Sequence, residues 1–231
     1  MNAPVKIALA KGRILDEALP LFARVGLAPL ESPSESRKLV LDTESGKAQL
    51  VIIRSADVPT YVQFGAAHLG IVGKDVLLEH GGDDLAELVD LNFARCRLVV
   101  AEPAALAEGD DPGRWRRLRV ATKYPNITRR HFAAKGVQAQ IIKLYGSMEL
   151  APLVGLSDRI VDLVDTGGTL RANKLVEVES VLDVSARLIA NLAALRMQSE
   201  PLGEVIELIQ SVALSGEAPQ RDSQPRRPAQ R

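Results

Sequence analysis

The chain has 231 residues, with 29 basic and 29 acidic side chains, so its formal charge is zero and nothing marks it as a nucleic-acid binder. With 46% hydrophobic and 25% charged residues it has an ordinary globular composition, long enough for one large domain or two small ones. One cysteine, Cys96, excludes an internal disulfide, and no apolar run reaches the roughly 18 residues that cross a bilayer, so neither a disulfide scaffold nor a membrane partner is expected.

Residues 1–6 lead straight into a β-like run at 5–10 without a signal-peptide pattern, and a cytoplasmic location is the expectation. Lys11-Gly12-Arg13 follows, then helical spacing over 14–25, closed by Gly26 as a C-terminal cap. A glycine between two cations where a strand meets a helix is either an anion site or a turn with two solvated side chains. Residues 38–41 and 49–53 read as strands around a polar turn, with Arg54 just past the second. A short helix over 58–64, a strand over 68–73 and a helix starting at Lys74 continue the alternation. Such alternation indicates an α/β fold with a largely parallel sheet, whose ligands sit at the carboxyl ends of the strands. Lys11, Arg13, Arg54 and Lys74 each follow a strand, so all four are expected at one mouth.

After 85–91, residues 96–101 form a strongly apolar strand and 103–117 a loop containing Trp115, expected to pack at the surface. Three further βα steps follow: strands at 118–122, 140–144 and 160–164, with helices at 126–134 and 147–154. Residues 176–190 are again strand-like and 202–214 helical. The second unit reads as an insertion, because a late strand over 176–190 returns the chain to the first. That gives a first lobe of 1–92 plus 177–215, a second lobe of 93–176, and a disordered Gly, Pro, Gln and Arg-rich tail at 216–231. A cleft between lobes is the expected ligand site.

The stretch from Arg159 to Asn173 is the most informative in the chain. An apolar run bearing Asp162 and Asp165 gives way to Thr166-Gly167-Gly168-Thr169, and a helix then starts. Two glycines bring backbone N–H groups close to a bound anion, two hydroxyls add donors, and a helix N-terminus adds unpaired amides. Such a loop suits a phosphate monoester, although a plain strand-to-helix turn has the same composition. The carboxylates would then face ribose hydroxyls or a magnesium ion. His68, His80 and His131 lack the spacing of a zinc site, and Cys96 opens an apolar strand where an inert thiol is the usual outcome. Neither a Gly-x-Ser-x-Gly elbow nor a Gly-x-x-x-x-Gly-Lys loop occurs, so no covalent nucleophile is announced.

Glu149, five residues, Gly155-Leu156-Ser157, two residues, Ile160, one residue and then the unbroken run from Asp162 to Leu170 resemble, in order and spacing, the signature of ATP phosphoribosyltransferases. Residues 10–14, 57–59, 70–75, 96–101 and 121–126 resemble further blocks of that family, so the likeness runs from about Val5 to Leu214. The resemblance implies a two-lobed, periplasmic-binding-protein-like (type II) α/β fold with the second lobe inserted in the first. It implies transfer of the phosphoribosyl group of phosphoribosyl pyrophosphate (PRPP) from its C1 to N1 of the ATP adenine, with magnesium present and no covalent intermediate.

Carried onto this sequence, PRPP would meet Asp162, Asp165, Thr166, Gly167, Gly168, Thr169 and Leu170. Lys11, Arg13 and Arg54 would serve catalysis by stabilising pyrophosphate and, with Lys74, the ATP phosphates. Asp162 would touch magnesium through PRPP, and Glu149 would support the loop. Asp165 stands where the family varies. The sequence runs out soon after the last predicted helix, which resembles the short form that works with a separate histidyl-tRNA-synthetase-like regulatory subunit in a hetero-oligomer. A solute-binding protein of the same architecture, or a phosphoribosyltransferase acting on a free base, are the competing readings.

Overall fold

A computed structural model describes residues 3–107 and 118–214. Strand β1 (Val5–Ala10) is apolar on both faces, as a central parallel strand between layers of helices must be. It pairs in parallel with β3 (Ala48–Ile53) on one side and β4 (Leu69–Gly73) on the other. An antiparallel β2 (Val40–Asp42) closes one edge, while β11 (Ala186–Asn191) and β5 (Leu85–Asp90) close the other. Helix α1 (Arg13–Arg24) and helix α9 (Ser199–Leu214) cover one face, α9 inserting Leu202, Val205 and Ile209 at helical spacing into the core beside Phe22 and Ile7. Helices α2 (Val58–Gln63) and α3 (Lys74–His80) cover the opposite face, where Val58 and Val62 meet Ala8, Val72 and Ile189. A short α8 (Leu192–Met197), whose amide at Ala194 is capped by Asn191, precedes α9 and has no counterpart in the sequence reading.

The second sheet has the order β10 (Leu175–Val184), β6 (Cys96–Pro103), β9 (Arg159–Val164), β7 (Arg119–Thr122) and β8 (Gln140–Lys143). Only the β9, β7 and β8 pairings are parallel; β6 runs antiparallel to both of its neighbours. Helix α5 (Pro125–Ala134) packs on one face through Ile127 and Phe132, while α6 (Leu150–Leu153) and α7 (Gly168–Ala172) pack on the other through Ala151 and Leu170. A four-residue α4 (Ala104–Ala107) follows β6.

The expectation of one late strand over 176–190 returning to the first lobe is corrected: the segment is two strands. Residues 175–184 pair with β6 in the second sheet, and only 186–191 reach the first, so 177–184 lie with the second sheet rather than the first lobe. Ser185 makes the change, its hydroxyl donating to Asp90 Oδ1 at 2.8 Å while its carbonyl accepts the Lys74 amide. Both halves hold enough apolar residues to read as strand, and no glycine or proline interrupts them, so the sequence carries no mark of where the partner sheet changes. The other crossing is the 91–95 turn, in which Asn92 and Ala94 adopt left-handed φ of 62° and 51°. Helix α6 is shorter than the expected 147–154, and the loop around Trp115 and the Arg-rich tail at 216–231 lie outside the described residues. No helix among the described residues is long and apolar enough to cross a membrane.

Candidate active site

Strand β9 alternates, so Ile160, Asp162 and Val164 share one face. That face, with Val99 and Ala101 from the neighbouring β6, floors a cavity of about 250 Å³ rimmed by Glu149 and residues 165–170. At its end the strand must turn sharply into α7. Gly167 does this with a left-handed φ of 73°, a conformation in which an L side chain is strained. Amides of Gly168 and Thr169, in the first turn of α7, have no intrahelical acceptor and remain available to an anion. Thr166, Gly168 and Thr169 are exposed at the rim, whereas the Leu170 side chain is buried with Met148, Ala151 and Leu175 and anchors the loop to the core.

Asp162 lies on the floor, its Oδ1 accepting the Leu163 amide at 2.8 Å. Burial pushes its carboxyl above the ordinary carboxylate range against that hydrogen bond, the charges of Glu149 and Asp75 push the same way, and Lys123 opposes them. Lys123, exposed at the end of β7, was not singled out from the sequence. Like Lys11 and Arg54 it directly follows a strand, and the signal was its place in the family-like block at 121–126. Arg171 was also missed: its Nη1 donates to the Thr166 carbonyl at 3.0 Å and so braces the loop from four residues beyond Gly167.

The cations of the first sheet divide into two groups. Lys11 and Arg54 follow β1 and β3, whose last residues Ala10 and Ile53 are register partners, so both stand exposed at the same carboxyl edge. Arg13 and Lys74 are engaged. Arg13 donates to Glu17 at 2.8 Å, to the Arg95 carbonyl at 3.0 Å and to Asp165 at 3.3 Å, spanning from α1 to the crossing and to the loop of the second sheet. Lys74 is paired with Glu87 of β5. Thus Asp165, on the cavity rim, is tied to the first sheet through Arg13, while Asp162 lies on the cavity floor. Among the described residues no group of three or more His, Cys, Asp and Glu side chains stands ready for a metal ion.

The remaining singled-out residues have structural partners. His68 Nδ1 accepts the Lys6 amide at 3.0 Å, His80 meets Gln63, and His131 meets Glu179. Burial pushes the Cys96 thiol up to about 11, with the Asp75 charge adding and Arg13 opposing, so it is a poor nucleophile at neutral pH.

Two sheets joined by two crossings, with an anion-ready loop at the end of a strand in the second, define the class: a two-lobed α/β protein of the type II binding-protein fold, with its second lobe inserted in the first. The family model of ATP phosphoribosyltransferase matches residues 54–211. A protein of Chromobacterium violaceum named ATP phosphoribosyltransferase is 57% identical over 201 residues, 87% of this chain and 94% of that one. Among solved structures, the ATP phosphoribosyl transferase (HisG:HisZ) complex from Thermotoga maritima aligns with a TM-score of 0.78 at 31% identity, over 91% of this chain and 99% of that one. The alkanesulfonate-binding protein SsuA from Xanthomonas axonopodis pv. citri, bound to MOPS, shares the fold alone, with a TM-score of 0.55 at 13% identity over 91% of this chain and 73% of that one. The chain belongs to the ATP phosphoribosyltransferase family.

Proposed function

We propose that this chain transfers the phosphoribosyl group of PRPP to N1 of the ATP adenine, releasing pyrophosphate, as the first step of histidine biosynthesis. The observation that carries this reading is the 162–170 segment, which closes a polar cavity with free amides and hydroxyls in a chain of that family. Positive charge develops on the ribose and negative charge on the leaving group, so catalysis is positioning and electrostatics, and no covalent nucleophile is needed.

In this reading the amides of 166–169 and the hydroxyls of Thr166 and Thr169 hold the 5-phosphate, and Leu170 contributes only backbone. Asp162 receives the ribose hydroxyls, and Glu149 orients the loop. Lys11 and Arg54 stabilise pyrophosphate and the ATP phosphates from the first lobe. Arg13, through Asp165, positions the loop against that lobe, and Lys74 reaches substrate only by leaving Glu87. Asp162 with the substrate's own phosphates is the donor set magnesium favours, one or two carboxylates plus phosphate oxygens. When bound, magnesium neutralises charge on the departing pyrophosphate. We draw the lobe boundaries at the 91–95 turn and at Ser185.

A cytoplasmic location accompanies these substrates. The regulatory partner is read as a separate histidyl-tRNA-synthetase-like subunit, supported by the likeness to a chain solved within a HisG:HisZ complex. The test is incubation with PRPP and ATP, and in parallel with PRPP and adenine or orotate, with and without the partner, following products by mass spectrometry. Phosphoribosyl-ATP and pyrophosphate are expected from the first mixture alone. Consumption of PRPP with a free base, or binding of PRPP without turnover in every mixture, would overturn the reading.

A further inference from the structure

Helix α3 belongs to the first lobe, yet both of its inward carboxylates end in the second. Asp75, 4% exposed, accepts a hydrogen bond from the Tyr124 hydroxyl at 2.7 Å, and Tyr124 is itself 3% exposed. A Cβ on Gly73 would fall 2.2 Å from Asp75 Oδ1, so this placement of the carboxylate requires glycine two residues before it. One turn further on, the Glu79 carboxylate accepts the amides of Asn126 at 2.9 Å and Ile127 at 3.0 Å. These are first-turn amides of α5 without intrahelical acceptors, and a carboxylate there also meets the positive end of the helix dipole. Asn126 Nδ2 returns a hydrogen bond to the Glu79 carbonyl at 3.0 Å, and Arg130 donates to the Leu78 carbonyl at 2.8 Å.

This corner is wired to the cavity. The Thr122 hydroxyl donates to the Val161 carbonyl at 2.8 Å and accepts the Tyr124 amide at 2.9 Å, which fixes the end of β7 one residue from Asp162. Lys123, between Thr122 and Tyr124, lies close enough to Asp162 to stabilise its charge. The grip is also reversible in kind. Its hydrogen-bonding groups can be satisfied by water on opening, while Leu78 of α3, packed against the buried cluster that holds Tyr124, Ile127 and Phe132, adds apolar burial that favours the closed arrangement; the chain itself crosses between lobes at the 91–95 turn and at Ser185. By contrast, the Arg13 and Asp165 pair is partly exposed and contributes less.

We propose that α3 is the latch of lobe closure: Asp75 and Glu79 hold the second lobe against the first and so fix Lys123 and Asp162 in the arrangement that transfers the phosphoribosyl group. The role in transfer rests on the reaction proposed above; the latch itself is a property of the free chain. The test uses Tyr124→Phe, Glu79→Ala and the double variant in the full-length chain. Small-angle X-ray scattering and amide exchange over 124–128 are measured without substrate, then PRPP affinity by calorimetry and single-turnover transfer. Expected are a broader scattering profile, exchange at 126–127 faster by about 10-fold or more, and a transfer rate lower by about 10-fold or more. PRPP affinity, held mainly by the 5-phosphate contacts of the 165–169 loop with Asp162 adding to them, should fall by a smaller factor than the transfer rate. Unchanged scattering and exchange in the double variant would overturn the latch, as would affinity and rate falling by the same factor. If Tyr124→Phe fails to fold, Glu79→Ala decides alone. A wild-type chain without transferase activity would instead sink the proposed reaction, and scattering and exchange would still decide the latch.

Discussion

Gly167→Ala is the sharpest perturbation of the phosphate loop. Gly167 has φ of 73°, and holding alanine there costs roughly 1–2 kcal/mol. The new methyl carbon would lie 3.0 Å from Arg171 Nη1, so the guanidinium must move, and that group makes the 3.0 Å hydrogen bond to the Thr166 carbonyl. A hydrogen bond to a charged group contributes about 1.5–3 kcal/mol, but Arg171 is exposed and can swing into water, so only the lower end is expected. The free loop can relax away from the strained geometry, whereas binding must restore it. The cost therefore falls on affinity more than on folding. A total of about 2.5–3.5 kcal/mol predicts PRPP binding weaker by roughly 60- to 300-fold by isothermal calorimetry, with a nearly unchanged thermal melt. Gly168→Ala is the control, because its φ is not left-handed and its Cβ would meet only Thr166 Oγ1 at 3.7 Å. Loss there reports close approach of the ligand itself. Binding by Gly167→Ala within about 3-fold of wild type would refute the loop assignment.

Thr169→Ala removes one hydroxyl donor to a charged acceptor and should weaken PRPP by about 1.5–3 kcal/mol, read by the same titration. Arg54→Lys keeps the charge but loses the bidentate fork, so the single-turnover rate should fall more than PRPP affinity; equal rate and affinity would remove Arg54 from the pyrophosphate site. Asp162→Asn retains an acceptor for the Leu163 amide while deleting a buried charge. Because the wild-type carboxyl is raised above its unfolded value, the folded form holds its proton more tightly. Wild-type stability is therefore lost relative to Asn as pH rises through the carboxylate range. Thermal melts should show Asp162→Asn gaining on wild type from acid to neutral pH while transfer activity falls. Histidine should leave the purified chain's activity unchanged and inhibit it when the regulatory subunit is present; saturable inhibition of the chain alone would refute control by a partner.

Local information carried much of this. Apolar runs of strand length alternating with helical periodicity established the α/β class, and the change from Val164-Asp165 to Thr166-Gly167-Gly168-Thr169 marked the loop because only glycine takes the left-handed turn cheaply. Lys11 and Arg54 were legible as strand-end cations for the same reason, since parallel strands bring their carboxyl ends to one edge. What the chain order could not convey was which distant groups meet. Ser185 divides one strand-like segment between two sheets, a choice made by pairing with β6 and β4 rather than by propensity. Arg13 reaches Asp165 across 152 residues, and Asp75 reaches Tyr124 across 49. Leu170, read as a ligand contact, turns its side chain into the core, because the helix beginning at Gly168 directs that position toward Met148 and Ala151. Hydrogen bonds and burial of this kind depend on the packing of whole lobes, so they exist only once the tertiary structure brings the two lobes together.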